Sequence, residues 1–276
     1  MMSTKIGIIG FGNMGSAIAE QIKVKYQLFA FDKDKEKTRN LSGIGIADNI
    51  LDLVNKVDTL ILAVKPQDFD TALNEIKPYA KDKLVISIAA GITTAHMEKI
   101  LGAARVIRAM PNIPAKISEG ITCFSKGRFA SEEDLAFAQD LFVYLGETLR
   151  IDEEKMNAVT AVSGSGPGFL CDLIEGKSLT EIKDFTEKVF IPSFSATASS
   201  LGFTPAQAKI LAEVTGRGSV RYLEKEHLSP VEMKKQVASK GGTTEAGLRL
   251  LQHNIKNLTE AAKAALNRAE ELSKRE

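Results

Sequence analysis

Cysteine and histidine are scarce in this sequence, and neither is spaced for chemistry. The two cysteines, Cys123 and Cys171, sit in apolar segments without a CxxC pair or Cys/His metal spacing. They read as buried free thiols, no metal is expected, and the lack of a disulfide framework suits a cytoplasmic compartment. The three histidines, His96, His227 and His253, fall in segments of helical pattern with no partnering residue nearby. Each is expected on a helix, as a surface or packing side chain. An excess of charge is also missing: 36 Lys+Arg against 35 Asp+Glu leave a net charge of +1. That supplies no field to hold a phosphate backbone or an anionic membrane, so nucleic acid is excluded as a partner. No apolar run has the length of a bilayer crossing. The run from Ile6 to Phe11 is too short for a signal-peptide core and has no small-residue cleavage site, so it reads as a strand. Internal repeats, heptad arrays and low-complexity tracts are absent as well.

What is present is an ordinary globular composition, 44% hydrophobic and 26% charged over 276 residues, enough for two domains. From Lys5 to about Asp152, short β-rich runs alternate with segments of helical period, the pattern of a parallel sheet covered by helices. Strands are expected at Lys5–Ile9, Gln27–Phe31, Asp58–Val64, Leu84–Ile88, Arg105–Arg108, Ile121–Ser125 and Thr148–Ile151. Most are near-continuous apolar runs, as befits strands buried on both faces. Ser131-Glu132-Glu133-Asp134 ahead of Leu135 marks a helix start. Beyond about Glu153 the β-runs vanish, and helical segments such as Pro205–Leu223 and Thr243–Ser273 take over. The fold class expected is α/β: a doubly wound Rossmann-type domain over 1–153 and an all-helical domain over 154–276.

Gly10-Phe11-Gly12-Asn13-Met14-Gly15 places a GxGxxG directly between the first strand and a helix. Gly10 permits the tight turn, Gly12 lets backbone approach a pyrophosphate, and Gly15 lets helix and strand pack closely, while the helix start offers N–H groups to the anion. The second strand ends in Phe31-Asp32, where an acid bonds the adenosine ribose. Asp32 favours NADH over NADPH, because a carboxylate repels the extra 2′-phosphate. The basic run Lys33, Lys35, Lys37 and Arg39 pulls the other way, since one of these side chains could pair with that phosphate. A cap on the following helix is the plainer role for Asp32. The nicotinamide is expected outside the carboxyl ends of the later strands, at Ala63, Val64, Lys65 and Pro66, at Ala89 and Gly91, and at Met110, Pro111 and Asn112. Plain loop punctuation is the alternative for the prolines.

Four motifs in order narrow the reading: Ala63-Val64-Lys65-Pro66-Gln67, Arg108-Ala109-Met110-Pro111-Asn112, Ser163-Gly164-Ser165-Gly166-Pro167 and Gly241-Gly242-Thr243-Thr244. Together, behind the glycine loop, they resemble the pyrroline-5-carboxylate reductase family along nearly the whole chain. The resemblance implies NADH- or NADPH-dependent reduction of a small cyclic imino acid, 1-pyrroline-5-carboxylate, to proline. It implies also a helical domain that interlocks with a second copy, as a homodimer or higher oligomer, with substrate held at that interface. Thr244 matches the family position whose hydroxyl bonds the imine nitrogen, and Ser239 could contact the substrate carboxylate. Two departures stand out. The family pattern Ser-Pro-Gly-Gly-x-Thr reads Ser239-Lys240-Gly241-Gly242-Thr243-Thr244 here, and the polar stretch Glu175–Lys188 before Pro192 interrupts what is usually one smooth helix.

The residues themselves allow this chemistry. A protonated imine is already electrophilic, so no strong general acid is required, which fits the unpartnered histidines. Gly241, Gly242 and Thr243 open a helix whose successive N–H groups form an anion nest; a glycine helix start with a Thr cap is the alternative. Nothing marks Thr244 as core. Ser163 and Ser165 lack a neighbouring base, so they form a junction turn and not a nucleophile pair. Two rival functions are a hydroxyacid dehydrogenase and a non-catalytic NAD-binding regulator. The first wants a lysine early in the second domain, where this chain has Ser163–Phe169.

Overall fold

A computed structural model describes residues 4–274. Among the described residues eight strands form one sheet: β1 (Lys5–Ile9), β2 (Gln27–Phe31), β3 (Ile44–Ile46), β4 (Thr59–Leu62), β5 (Leu84–Ser87), β6 (Arg105–Pro111), β7 (Gly120–Lys126) and β8 (Gly146–Arg150). The order is β3-β2-β1-β4-β5-β6-β7-β8. The pairs from β3 through β6 are parallel, with Ile8 level with Ala30 on one side and Ile61 on the other. Strand order therefore reverses between β1 and β4, and the crevice beyond their carboxyl ends is the switch point where such sheets bind ligands. β7 runs back against β6, with the Gly127 N–H donating to Val106 O over 2.9 Å.

Five helices belong to this half: α1 (Asn13–Ile22), α2 (Ile50–Lys56), α3 (Pro66–Ile76), α4 (Thr94–Leu101) and α5 (Glu132–Phe142). The apolar runs explain the architecture. Ile6, Ile8, Leu60, Ile61, Val85 and Ile86 are wholly buried, which requires cover on both faces of the sheet. Local caps start the helices: Asn49 for α2, Thr93 for α4, and the Ser131/Asp134 capping box for α5.

Two expectations need correction here. β3, a three-residue edge strand centred on Gly45, is too short and glycine-weakened to carry a β pattern. β6 continues past Arg108, so Met110 and Pro111 close the strand instead of standing in the loop after it.

The chain forms two compact units. The first comprises residues up to Ala109, Phe124–Tyr144 and Thr148–Glu153; the second comprises Met110–Cys123, Leu145–Glu147 and everything from Glu154 onward. Beyond Glu153 the described residues form helices only: α6 (Met156–Val159), α7 (Gly166–Leu173), α8 (Leu179–Phe185), α9 (Ile191–Ser200), α10 (Pro205–Lys225), α11 (Pro230–Val237), α12 (Thr243–Leu251) and α13 (Leu258–Ser273), with π-turns at Thr160–Gly164 and Thr186–Phe190. The polar stretch after Ile174 does interrupt the helix, and α8 restarts on a Ser178/Glu181 capping box. No helix among the described residues is long and apolar enough to cross a membrane.

The segment Thr243–Ser273 is not one helix. Gln252 and His253 turn left-handed, at φ 48° and 56°, and end α12 where no Gly gives the usual stop signal. The histidines are also placed differently from expectation. His96 lies on α4, but His227 and His253 stand just past helix ends, both with positive φ. Two have acidic partners after all: His96 Nε2 is 2.7 Å from Asp70 Oδ1, and His253 Nδ1 is 3.4 Å from Asp172 Oδ1. These partners are too distant in sequence to be read from local spacing. Cys123 and Cys171 are both buried free thiols. Burial pushes the Cys171 thiol up to about 12 and raises that of Cys123 further.

Candidate active site

In the first unit the glycine loop is shaped by backbone contacts. Gly10 has φ +95°, and a Cβ there would stand 2.7 Å from the Ala63 carbonyl carbon. Its N–H donates to Phe31 O over 2.8 Å, tying the loop to β2. A Cβ on Gly15 would overlap the Gly10 carbonyl oxygen, whereas one on Gly12 would meet nothing within 4 Å. The loop is thus tight beneath and open above. At α1 the N-cap is Gly12, with no side-chain cap and no acidic residue in the first turn, whereas α2, α4 and α5 are each capped by a side chain. Its first N–H groups are orphans that an anion would satisfy, so the residues present fit a dinucleotide pyrophosphate.

Asp32 closes this site. It is 7% exposed; one carboxylate oxygen accepts the Phe11 N–H at 2.6 Å and the other accepts the Asp34 N–H at 2.9 Å. Burial by itself would raise its carboxyl, but these two backbone donors and the Lys37 ammonium, 3.4 Å away, outweigh it and hold the group below the usual carboxylate range. Two N–H donors leave lone pairs on both oxygens for ribose hydroxyls. Asp32 does not cap the following 3-10 turn, a role taken by Asp34. A cavity of about 460 Å³ is lined by Gly10, Gly12, Asp32, Ala63, Val64 and Lys65 among others. Phe11 is buried, Asn13 and Met14 begin α1, and Pro66 is the first residue of α3. Ala89 and Gly91 follow β5 in the same unit, while Met110, Pro111 and Asn112 belong to the second. Part of the Arg108–Asn112 motif is structural. Buried Arg108 bonds Glu153 at 3.0 Å, and Asn112 Oδ1 accepts the Ile121 N–H at 2.9 Å. The amide nitrogen of Asn112 remains buried with no partner, an unspent donor of the kind that marks a functional position.

In the second unit α12 comes up against α7 through small residues. A Cβ on Gly168 would lie 2.6 Å from Thr244 Cγ2, and one on Gly247 would strike the Phe169 ring. This approach builds a hydroxyl cluster. Ser165 Oγ donates to Thr160 O at 3.2 Å, lies 3.1 Å from Thr243 Oγ1, and accepts from Thr244 Oγ1 at 3.1 Å. A hydroxyl has one hydrogen, so both threonines donate to Ser165 and each keeps oxygen lone pairs. Ser165 is thus a centre of the cluster that the sequence pattern assigned only to a turn. The signal was its place beside a Gly-Pro helix start, but its partners lie far along the chain.

Two sequence expectations change at this cluster. Thr244 is 4% exposed and therefore part of the core, and the helix N-cap is Gly242 with no side-chain cap. The nest is partly spoken for: the Gly241 N–H donates to Glu245 Oε2 at 2.6 Å and the Gly242 N–H to Ser239 O at 3.0 Å. Arg268 from α13 holds the Gly241 carbonyl at 2.8 Å.

Comparison with known proteins places these features in a family. Residues 5–91 match the model described as NADP oxidoreductase coenzyme F420-dependent, and residues 188–272 match that of pyrroline-5-carboxylate reductase dimerisation. A pyrroline-5-carboxylate reductase of Methanosarcina acetivorans is 33% identical, with 99% of this chain and 98% of that protein covered. The chain belongs to the pyrroline-5-carboxylate reductase family. The Aquifex aeolicus member is 32% identical over 91% of this chain and 90% of its own. Among solved members, the Plasmodium falciparum pyrroline carboxylate reductase with NADP bound superposes with a TM-score of 0.64 at 27% identity, covering 99% of both chains. The family membership thus spans both units, loop and hydroxyl cluster alike.

Proposed function

We propose that the chain catalyses the NADH- or NADPH-dependent reduction of 1-pyrroline-5-carboxylate to L-proline, the last step of proline biosynthesis. The observation that carries this reading is the 33% identity to a pyrroline-5-carboxylate reductase across 99% of the chain. The uncapped start of α1, Gly10–Gly15 and Asp32 hold the dinucleotide. Ala63–Pro66, Ala89 and Gly91 shape its nicotinamide end, where the bound cofactor supplies the hydride. Thr244 is the catalytic hydroxyl. With its hydrogen committed to Ser165, its oxygen is an acceptor for the N–H of a protonated imine, holding the ring and steadying its charge. Ser239, Gly241, Gly242 and Thr243 bind the substrate carboxylate at the first turn of α12, where the Gly241 and Gly242 N–H groups are already engaged and the N–H groups that follow them at the helix start favour an anion. Positioning supplies most of the acceleration in such a transfer. NADH serves at least as well as NADPH, because Asp32 faces the ribose with a full negative charge.

The same reading makes the protein a cytoplasmic homo-oligomer. The dimerisation model spans 188–272, and Ile210 and Leu250 within it are 38% and 48% exposed. The decisive experiment follows oxidation of NADH and of NADPH by purified protein, with proline measured as product. Turnover that requires pyrroline-5-carboxylate is expected; none with either cofactor overturns the reading.

A further inference from the structure

Three lysines line the cavity beside Asp32, and two of them, Lys33 and Lys37, are engaged by carboxylates. Lys37 reaches Asp32 at 3.4 Å. Lys33, the first residue past Asp32, is drawn the other way: its Nζ lies 2.7 Å from Asp68 Oδ1, a residue contributed by α3 from 35 positions along the chain. Asp32, Lys33, Lys37 and Asp68 all line one cavity. Asp68 is well fixed for this. It occupies the first turn of α3, where the helix dipole favours an acid, and its own N–H donates to Lys65 O at 2.9 Å. Lys33, by contrast, is a flexible side chain, 74% exposed, with reach to spare.

We infer that Asp68 is a positioning residue for cofactor choice: by holding the Lys33 ammonium it keeps that cation away from the adenosine 2′ position and so suppresses binding of 2′-phosphorylated dinucleotide. The inference rests on the dinucleotide site proposed above. It assigns the preference to two acids instead of one. Asp32 acts directly on the ribose, and Asp68 acts at a distance by occupying Lys33, the cation next to Asp32 in sequence that a phosphate would recruit. Because the Asp68–Lys33 pair is solvent-exposed and worth little by itself, releasing Lys33 costs the fold almost nothing. A 2′-phosphate carries close to two charges, so the freed ammonium gains more there than it loses.

The test measures binding, not turnover. Dissociation constants for NAD⁺ and NADP⁺ are determined by calorimetry for the wild type, Asp68→Asn, Lys33→Met and the double variant. Asp68→Asn is expected to tighten NADP⁺ by roughly 3- to 10-fold while leaving NAD⁺ within about 2-fold, the scale of one exposed charge-assisted contact. In the Lys33→Met background the same change should do nothing for NADP⁺. An equal gain in that background means a general loss of negative field, with no role for Lys33, and overturns the inference; so does an unchanged NADP⁺ constant in Asp68→Asn. If the wild type binds neither dinucleotide, the site itself is misassigned and the inference falls with it.

Discussion

At the residue scale the cluster around Ser165 makes the sharpest prediction. Thr244 is buried, so Thr244→Ala would mix a lost hydroxyl with a lost methyl group; Thr244→Val keeps the volume. A hydrogen bond to a charged group is worth about 1.5 to 3 kcal/mol, so Thr244→Val should lower kcat/KM for pyrroline-5-carboxylate by roughly 10- to 150-fold. Cofactor affinity should hold and Tm should move by only a few degrees. Normal efficiency would remove Thr244 from the chemistry, and a large fall in Tm would make it a packing residue. Asp32 gives a second prediction. Asp32→Ser should weaken NADH binding and shift the ratio of kcat/KM values toward NADPH by at least about 10-fold. Because the carboxylate also accepts the Phe11 N–H at 2.6 Å, weaker binding with an unchanged ratio would reduce its role to holding the loop. The identity of these two residues was legible in the sequence, Asp32 from its distance to the glycines and Thr244 from a motif. Their surroundings were not. Ser165 lies 79 positions from Thr244, and Asp68 lies 35 from Lys33, separations that only the fold closes.

At the scale of elements the glycine loop allows two opposed effects to be weighed. In a helix, Gly→Ala ordinarily stabilises by about 1 kcal/mol. At Gly15 the new methyl group would overlap the Gly10 carbonyl oxygen, and that carbonyl cannot yield freely because Gly10 is held at φ +95° and bonded to β2. Overpacking of this kind costs about 1 to 3 kcal/mol, so the clash wins. Gly15→Ala should lower Tm and weaken both NADH and NADPH by at least about 10-fold, checked by melting and cofactor titration of the same preparation; a raised Tm would mean that the loop adapts. Near-continuous apolar runs made the buried strands β1, β4 and β5 readable. β3 escaped because three residues around a glycine carry no period. The break after Leu251 escaped because Gln252 and His253 adopt a left-handed turn that residues of their type rarely signal.

At the scale of the whole molecule the helical unit leaves apolar side chains such as Ile210, Leu250 and Leu179 more than a third exposed, which a second copy would cover. Sedimentation at micromolar concentration should show a dimer or larger, and an active monomer would count against it. The sequence announced two regions near Glu153. It could not announce that Met110–Cys123 and Leu145–Glu147 pack with the later one, since a linear pattern carries no record of where the chain returns. One property of the two thiols has a practical side. Cys123 and Cys171 both belong to the second unit, are buried, and are held protonated well above neutral pH. The folded surface should therefore be inert to maleimides, and a single cysteine introduced at any exposed position would take a fluorophore or spin label alone, with the native thiols left in place. Modification of the native pair would then occur only when the second unit opens, and its rate under mild denaturant would time that opening.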